Sequence, residues 1–275
     1  MSLPENPTQL TPPLELDEAN PQQTAYLKSL TPARVAQRRT GISIATSELL
    51  SFQLAHGRAR DAVHAALQPA SLLAEIQRLQ PATPPILLHS AAPDRQTYLQ
   101  RPDLGRKLSE ISRQRLEELA IPPASDLAIV IADGLSALAV ERNAAPLLAE
   151  LLPHLAAENW NLAPISIVQQ GRVAIGDEIA HAFRASLVVV LIGERPGLSS
   201  PDSLGAYITW APRPGRTDAE RNCISNIRSG GLDYRQAAAR LLFYLNTARR
   251  LQLTGVALKE TAALQAPNQE HHESA

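Results

Sequence analysis

Cysteine is nearly absent from this chain. Cys223 is the only one in 275 residues, so no disulfide can close within the chain and the usage fits a reducing compartment. Long apolar runs are missing too. The longest, Leu187 to Ile192, is far too short to span a bilayer. The N-terminal stretch MSLPENPTQLTPPLELDEANP has neither the basic nor the apolar region of a secretory signal, and a cytoplasmic location is expected. Neither sign of charge dominates: Lys plus Arg number 26, Asp plus Glu 27, and the formal net charge is −1. A protein that tracks phosphate backbones carries a basic excess or stripe, so nucleic acid and membrane are not expected partners. Aromatics are scarce at 4 %, while 44 % of residues are hydrophobic, mostly Ala and Leu. That balance favours helices packed on a sheet over an aromatic-rich all-β module.

Several catalytic signatures are also missing. The seven histidines, His56, His64, His89, His154, His181, His271 and His272, form no HExxH pair, and Cys223 has no CxxC companion, so no metal site is expected. There is no GxSxG elbow, no GxxxxGK[ST] phosphate loop and no GxGxxG fingerprint.

What is present is a change of pattern along the chain. Residues 1–22 read as a flexible leader rich in Pro, Glu and Asn. Residues 23–95 read as a small helical N-terminal domain. It holds Leu49, Leu50, Phe52 and Leu54 in SELLSFQLAH, and Leu72, Ile76 and Leu79 on one helical face. After the turn-rich QPATPP, Ile86–Leu88 is a candidate short strand, and Asp103 reads as the N-cap of a helix carrying Leu104, Leu108 and Ile111. Residues 96–260 then alternate apolar strand-length runs (Leu127–Ala132, Ile165–Val168, Leu187–Ile192) with helical stretches (Ala145–Ala157, Ile175–Phe183, Asp233–Leu251). Strands apolar on both faces, alternating with helices, predict an α/β fold: a Rossmann-like, mostly parallel sheet flanked by helices. Residues 261–275 form a polar C-terminal tail.

Ligands of open α/β sheets bind beyond the carboxyl ends of the strands. Three glycine-containing loops lie there: Asp133–Ser136, Gln169–Val173 and Gly193–Leu198. Read alone, they name no ligand. Glu194 and Arg195 serve equally as a solvated turn, a lone cysteine is more often a small buried hydrophobe than a reactive group, and Asp133 suits a turn or a helix cap.

The stretch GERPGLSSPDSLGAYITWAPR, followed closely by ERNCISNIRSGGLDY, resembles the C-terminal half of ethanolamine ammonia-lyase small subunits. So do YLQRPDLGR (98–106), VIADGLS (130–136) and Gly171-Arg172-Val173 with Asp177 downstream, with a fainter echo in Ala33-Arg34-Val35 and SELLSFQLAHGRARDAV. The match covers about residues 25 to 258. The proline-rich leader, the segment RTGIS (39–43) and a slightly shorter link between GERPGL and NCISNI depart from the family pattern.

The resemblance implies a carbon–nitrogen lyase that converts ethanolamine to acetaldehyde and ammonia with adenosylcobalamin. The mechanism is a radical one, started by cobalt–carbon homolysis. The expected partner is a large β/α-barrel subunit holding the substrate and the catalytic residues, so no catalytic residue is assigned to this chain. By position in the motifs, Val173, Glu194 and Cys223 match the cobalamin-contacting residues: an apolar contact, an acceptor for the corrin carboxamides, and a packing contact. No Asp-x-His-x-x-Gly occurs, so the corrinoid is expected to keep its own lower base. A bacterial microcompartment is a second implied location. Two other classes stay open: a self-sufficient α/β enzyme, for which the loops offer Asp133 and Glu194 but no partner base or nucleophile, and a non-catalytic corrinoid carrier or scaffold.

Overall fold

A computed structural model of the protein describes residues 21–31, 33–37, 39–119 and 124–258. The tail at 261–275 and all of the expected leader but residues 21 and 22 lie outside them. The chain divides into two compact units between His56 and Gly57, inside a helix.

The first unit contains helix α1 (Pro21–Leu30), a two-residue antiparallel ribbon of β1 (Arg39–Thr40) and β2 (Ser43–Ile44), and the start of helix α2 (Thr46–His64). Lys28 pairs with Glu48 at 3.3 Å, and the Arg34 guanidinium lies 5.6 Å from the Phe52 ring centroid. The apolar residues singled out here, Leu49, Leu50, Phe52 and Leu54, are all exposed.

The second unit is built on a six-stranded sheet. Its strands are β3 (Ile86–His89), β4 (Leu127–Ala132), β5 (Ser166–Gln169), β6 (Leu187–Gly193), β7 (Leu204–Trp210) and β8 (Arg221–Ile227), in the spatial order β3-β5-β4-β6-β7-β8. The first four are parallel, and β7 and β8 extend the sheet antiparallel. Strand periodicity sends alternate residues to opposite faces. Leu127, Ile129 and Ile131 of β4, with Leu187, Val189 and Leu191 of β6, join one core with helices α3 (Pro69–Leu79), α6 (Ala137–Ala157) and α8 (Tyr234–Leu251). Ala128, Val130 and Ala132, with Val188, Val190 and Ile192, face a second core under helices α5 (Glu110–Glu118) and α7 (Ile175–Ala182). The short helix α4 (Arg95–Gln100) precedes α5, with Asp94 as its cap.

The expected α/β class and mostly parallel sheet are what the structure has. Its details differ in four places. The units part after His56, whereas the sequence put the change of character at residue 95: Leu72 and Ile76 of α3 are buried in the first core, and β3 is an edge strand of the sheet. Asp103 precedes only a 3-10 turn (Leu104–Arg106) and caps nothing with its side chain, which pairs instead with Arg101. The helix begins later, capped by Ser109, and Ile111 is exposed. Helix α6 starts eight residues before Ala145, capped by Ser136, with Pro146 inside it. Finally, β7 and β8 escaped periodicity because only one of their faces is apolar: Leu204, Ala206, Ile208, Ile224 and Ile227 point to the first core, while Cys223 and Ser225 are exposed. No described helix is long and apolar enough to cross a membrane.

The turns after β4 and β6 touch backbone to backbone. Leu135 donates its N–H to the Gly193 carbonyl at 2.9 Å, and Gly134 holds φ at +57°, where an added Cβ would strike that same carbonyl. Gly134→Ala therefore combines left-handed strain with a backbone clash and should destabilise the fold by at least about 1–3 kcal/mol. Gly57→Ala, at an open helical position, should stabilise it by about 0.5–1 kcal/mol. Urea midpoints of the two variants, moving in opposite directions, would check both.

Candidate functional site

The crevice of an open α/β sheet opens between neighbouring strands whose crossovers leave to opposite faces. Here those strands are β4, followed by α6 on one face, and β5, followed by α7 on the other. The crevice is filled from within. Asp133, fully buried, accepts the backbone N–H groups of Gln170 and Gly171, each at 3.0 Å. Arg95 lies 3.8 Å from the same carboxylate, and its guanidinium also donates to the carbonyls of Gly134 (2.8 Å) and Val63 (2.7 Å). Tyr98 completes the plug: its hydroxyl donates to the Gly171 carbonyl at 3.1 Å, and its ring lies against both Arg95 and Arg172. Burial pushes the Asp133 carboxyl above its ordinary value, opposed by the Gln170 N–H and by Arg95. Buried and bound to two backbone N–H groups of the loop after β5, Asp133 ties the turns after β4 and β5 together.

The open surface lies one step along the sheet. Helix α7 packs over β4 and β6, and α8 packs over β7 and β8 from the first core, so the second face of β7 and β8 is left open around Cys223 and Ser225. Glu194 leaves the end of β6 and turns onto that face. Its carboxylate accepts hydrogen bonds from the Ser203 hydroxyl and from the Asn226 backbone N–H, the latter at 3.1 Å. It sits above Gly205, where an added Cβ would lie 3.1 Å from Oε1. Tyr207 stands beside it, directly opposite Cys223 in the β7–β8 register. Burial pushes the Tyr207 hydroxyl up, with Cys223 and then the Glu194 charge adding to the shift, so it is a neutral hydrogen-bonding group. Cys223 is exposed, its Sγ 3.4 Å from the Ser225 hydroxyl.

The structure thus brings Glu194 and Cys223 to one surface, on either side of Tyr207. Val173 stands at the entry to α7. It packs on the second core, as Tyr207 does, and also lines a neighbouring cavity. One buried ion pair joins these parts. Arg221 at the start of β8 donates to both oxygens of Asp177 in α7, at 2.6 and 2.8 Å, and to Thr209 Oγ1 at 2.8 Å. Both charged side chains are 1 % exposed. Sequence reasoning missed Tyr207 and Ser203, which only the strand pairing reveals. It missed Arg221 as well, although a charged residue opening a strand that carries two core isoleucines was a signal to look for its partner.

These features define an α/β domain with a filled crevice between β4 and β5 and an antiparallel extension open around Cys223 and Ser225. The sequence model of the ethanolamine ammonia-lyase light chain matches residues 21–259. The ethanolamine ammonia-lyase small subunit of Pseudomonas aeruginosa (strain UCBPP-PA14) is 56 % identical over 242 residues, covering 87 % of this chain and 88 % of that one. That of Ralstonia nicotianae is 55 % identical over 245 residues (88 % and 89 %), and that of Pseudomonas fluorescens (strain SBW25) 53 % over 257 (92 % and 91 %). The chain belongs to the ethanolamine ammonia-lyase small-subunit family.

Two outcomes test this geometry. Arg221→Met leaves Asp177 buried without its partner and should cost about 3–5 kcal/mol, read as a lower denaturant midpoint. Near the surface, Glu220 is held at about 2 by the Thr217 N–H, with Arg216 and the Thr217 hydroxyl assisting. A lowered carboxyl contributes fully above its ordinary value of 4.5 and loses that contribution as pH falls toward about 2. The amide resonance of Thr217 should therefore move in that window and stay put from pH 5 to 8.

Proposed function

We propose that this chain is the cobalamin-contacting small subunit of an adenosylcobalamin-dependent ethanolamine ammonia-lyase, a carbon–nitrogen lyase that converts ethanolamine to acetaldehyde and ammonia. A large barrel-shaped subunit completes the active site in a hetero-oligomer. The carrying observation is the face of β7 and β8 left open around Cys223 and Ser225, where the Glu194 carboxylate and the exposed Cys223 thiol flank a neutral Tyr207. When bound, adenosylcobalamin supplies the radical chemistry.

The residues present fit that group. The Glu194 carboxylate is fixed through Oε2 by Ser203 and Asn226, which leaves Oε1 to accept from a carboxamide of the corrin rim; such charge-assisted bonds are roughly twice as strong as neutral ones. Tyr207 and Cys223 offer a flat, weakly polar bed beside it, and Val173 an apolar contact at the mouth of α7. On this reading the chain binds and orients the corrin and excludes water from one side of it, while proton transfers and substrate recognition belong to the large subunit. The names of the relatives, all small subunits of this lyase, support the partner, and a cytoplasmic setting follows, with enclosure in a microcompartment as its special case.

The alternative of a self-sufficient enzyme loses ground because Asp133, one of its two candidate acids, is engaged in the plug. A carrier role shares the same face and differs only in the partner. The test is reconstitution with the large subunit and measurement of ammonia release. Glu194→Gln keeps the shape of the loop and removes the charge, so it should raise the half-saturating adenosylcobalamin concentration about tenfold, the equivalent of about 1.4 kcal/mol, with little change at saturation. An unchanged requirement removes Glu194 from the contact, and absence of ammonia release from the wild-type pair removes the lyase reading.

A further inference from the structure

Beside Val173 lies a cavity of about 640 Å³, walled by the loop before α5, the entry to α7 and the loop at 214–218. Its charges do not balance. Of the acids on its wall, Glu178 is committed to Arg113 (3.0 Å) and to the Leu108 N–H (2.8 Å), and Asp218 is exposed to solvent and lies 3.6 Å from Arg221. Arg216 is paired with Glu220. Three cations remain. The exposed side chains of Arg106 and Lys107 make no hydrogen bond or ion pair among the described residues. The Arg172 guanidinium lies 4.3 Å from the Tyr98 ring centroid, with one Nη donating to the Tyr98 carbonyl at 3.3 Å. Its Nε is buried without an acceptor among the described residues, an orphaned donor that a native fold ordinarily satisfies. At the entry to α7 the backbone N–H groups of Val173 and Ala174 have no acceptor among the described residues.

We infer that this cavity is a phosphate-binding site, in which Arg106, Lys107 and Arg172 and the N–H groups opening α7 receive the oxygens of a phosphate ester or free phosphate. Three cations and helix-entry amides converging on one space are the donor set that a tetrahedral, multiply accepting anion requires. Two sources share this chemistry. One is the phosphodiester in the nucleotide loop of cobalamin, and this source rests on the function proposed above. The other is inorganic phosphate.

The variant Arg106→Gln/Lys107→Gln separates them, since both side chains are exposed and their removal leaves the core intact; Arg172→Gln serves as a second variant. Full chains are reconstituted with the large subunit and titrated with adenosylcobalamin and with adenosylcobinamide, which lacks the phosphodiester. The full chain alone is dialysed against radiolabelled inorganic phosphate. If the cofactor supplies the phosphate, the double variant weakens adenosylcobalamin about tenfold and leaves adenosylcobinamide unchanged. If free phosphate is the ligand, corrinoid binding is untouched, and labelled phosphate is retained by the wild type and lost from the variants. Equal weakening of both corrinoids, or no change in any arm, overturns the site. A wild-type complex that binds neither corrinoid would strike at the cofactor reading instead, and the dialysis would still decide the cavity.

Discussion

The ion pair between Asp177 and Arg221 ties helix α7 to the outermost strand β8. It is bidentate, shielded from water on both sides, and buttressed by Thr209 Oγ1 and by the Arg216 carbonyl at 3.1 Å. Burying two charges gains little net stability, but leaving one of them unpaired is costly, so such a pair penalises every arrangement that separates its members. Its members belong to α7, a crossover of the parallel sheet, and β8, the outermost antiparallel strand. Val173 enters the first and Cys223 lies on the second. The pair therefore adds a direct tie between the elements that carry the two residues to the one the sheet already provides.

The filled crevice explains why the useful surface lies where it does. In a doubly wound sheet the space between the ends of β4 and β5 is the natural seat for a ligand. Here Asp133, Arg95 and Tyr98 occupy it, and the backbone N–H groups of Gln170 and Gly171 are turned to Asp133. What remains is the antiparallel extension, whose second face meets α7 through Asp177 at the Thr209–Arg221 end and is exposed at Cys223 and Ser225. Antiparallel strands tolerate one solvated face, whereas parallel strands are covered on both. The open surface therefore lies on the antiparallel pair, whose pattern permits a solvated face.

The sequence made the parallel half legible because its strands are apolar on both faces. Leu127–Ala132 and Leu187–Ile192 can hardly be anything else, and the helical spacing of Leu72 and Ile76 is buried as expected. It obscured β7 and β8, where Gly205, Tyr207 and Thr209 interrupt the apolar run, and it misplaced the start of α6 because Pro146 sits inside a helix. Glu194 and Cys223 stood out only through their motifs. That they flank one tyrosine follows from the strand register, which no local pattern encodes. Long-range pairs such as Asp177–Arg221, forty-four residues apart, are invisible for the same reason.

Cys223 gives the chain a property of practical use. It is the sole thiol, it is exposed, and it lies on the uncovered face of β8 rather than on a remote surface. A single thiol-reactive fluorophore would attach at one known point without any engineered substitution. The protein comes with a built-in position for optical labelling at the edge of its own platform.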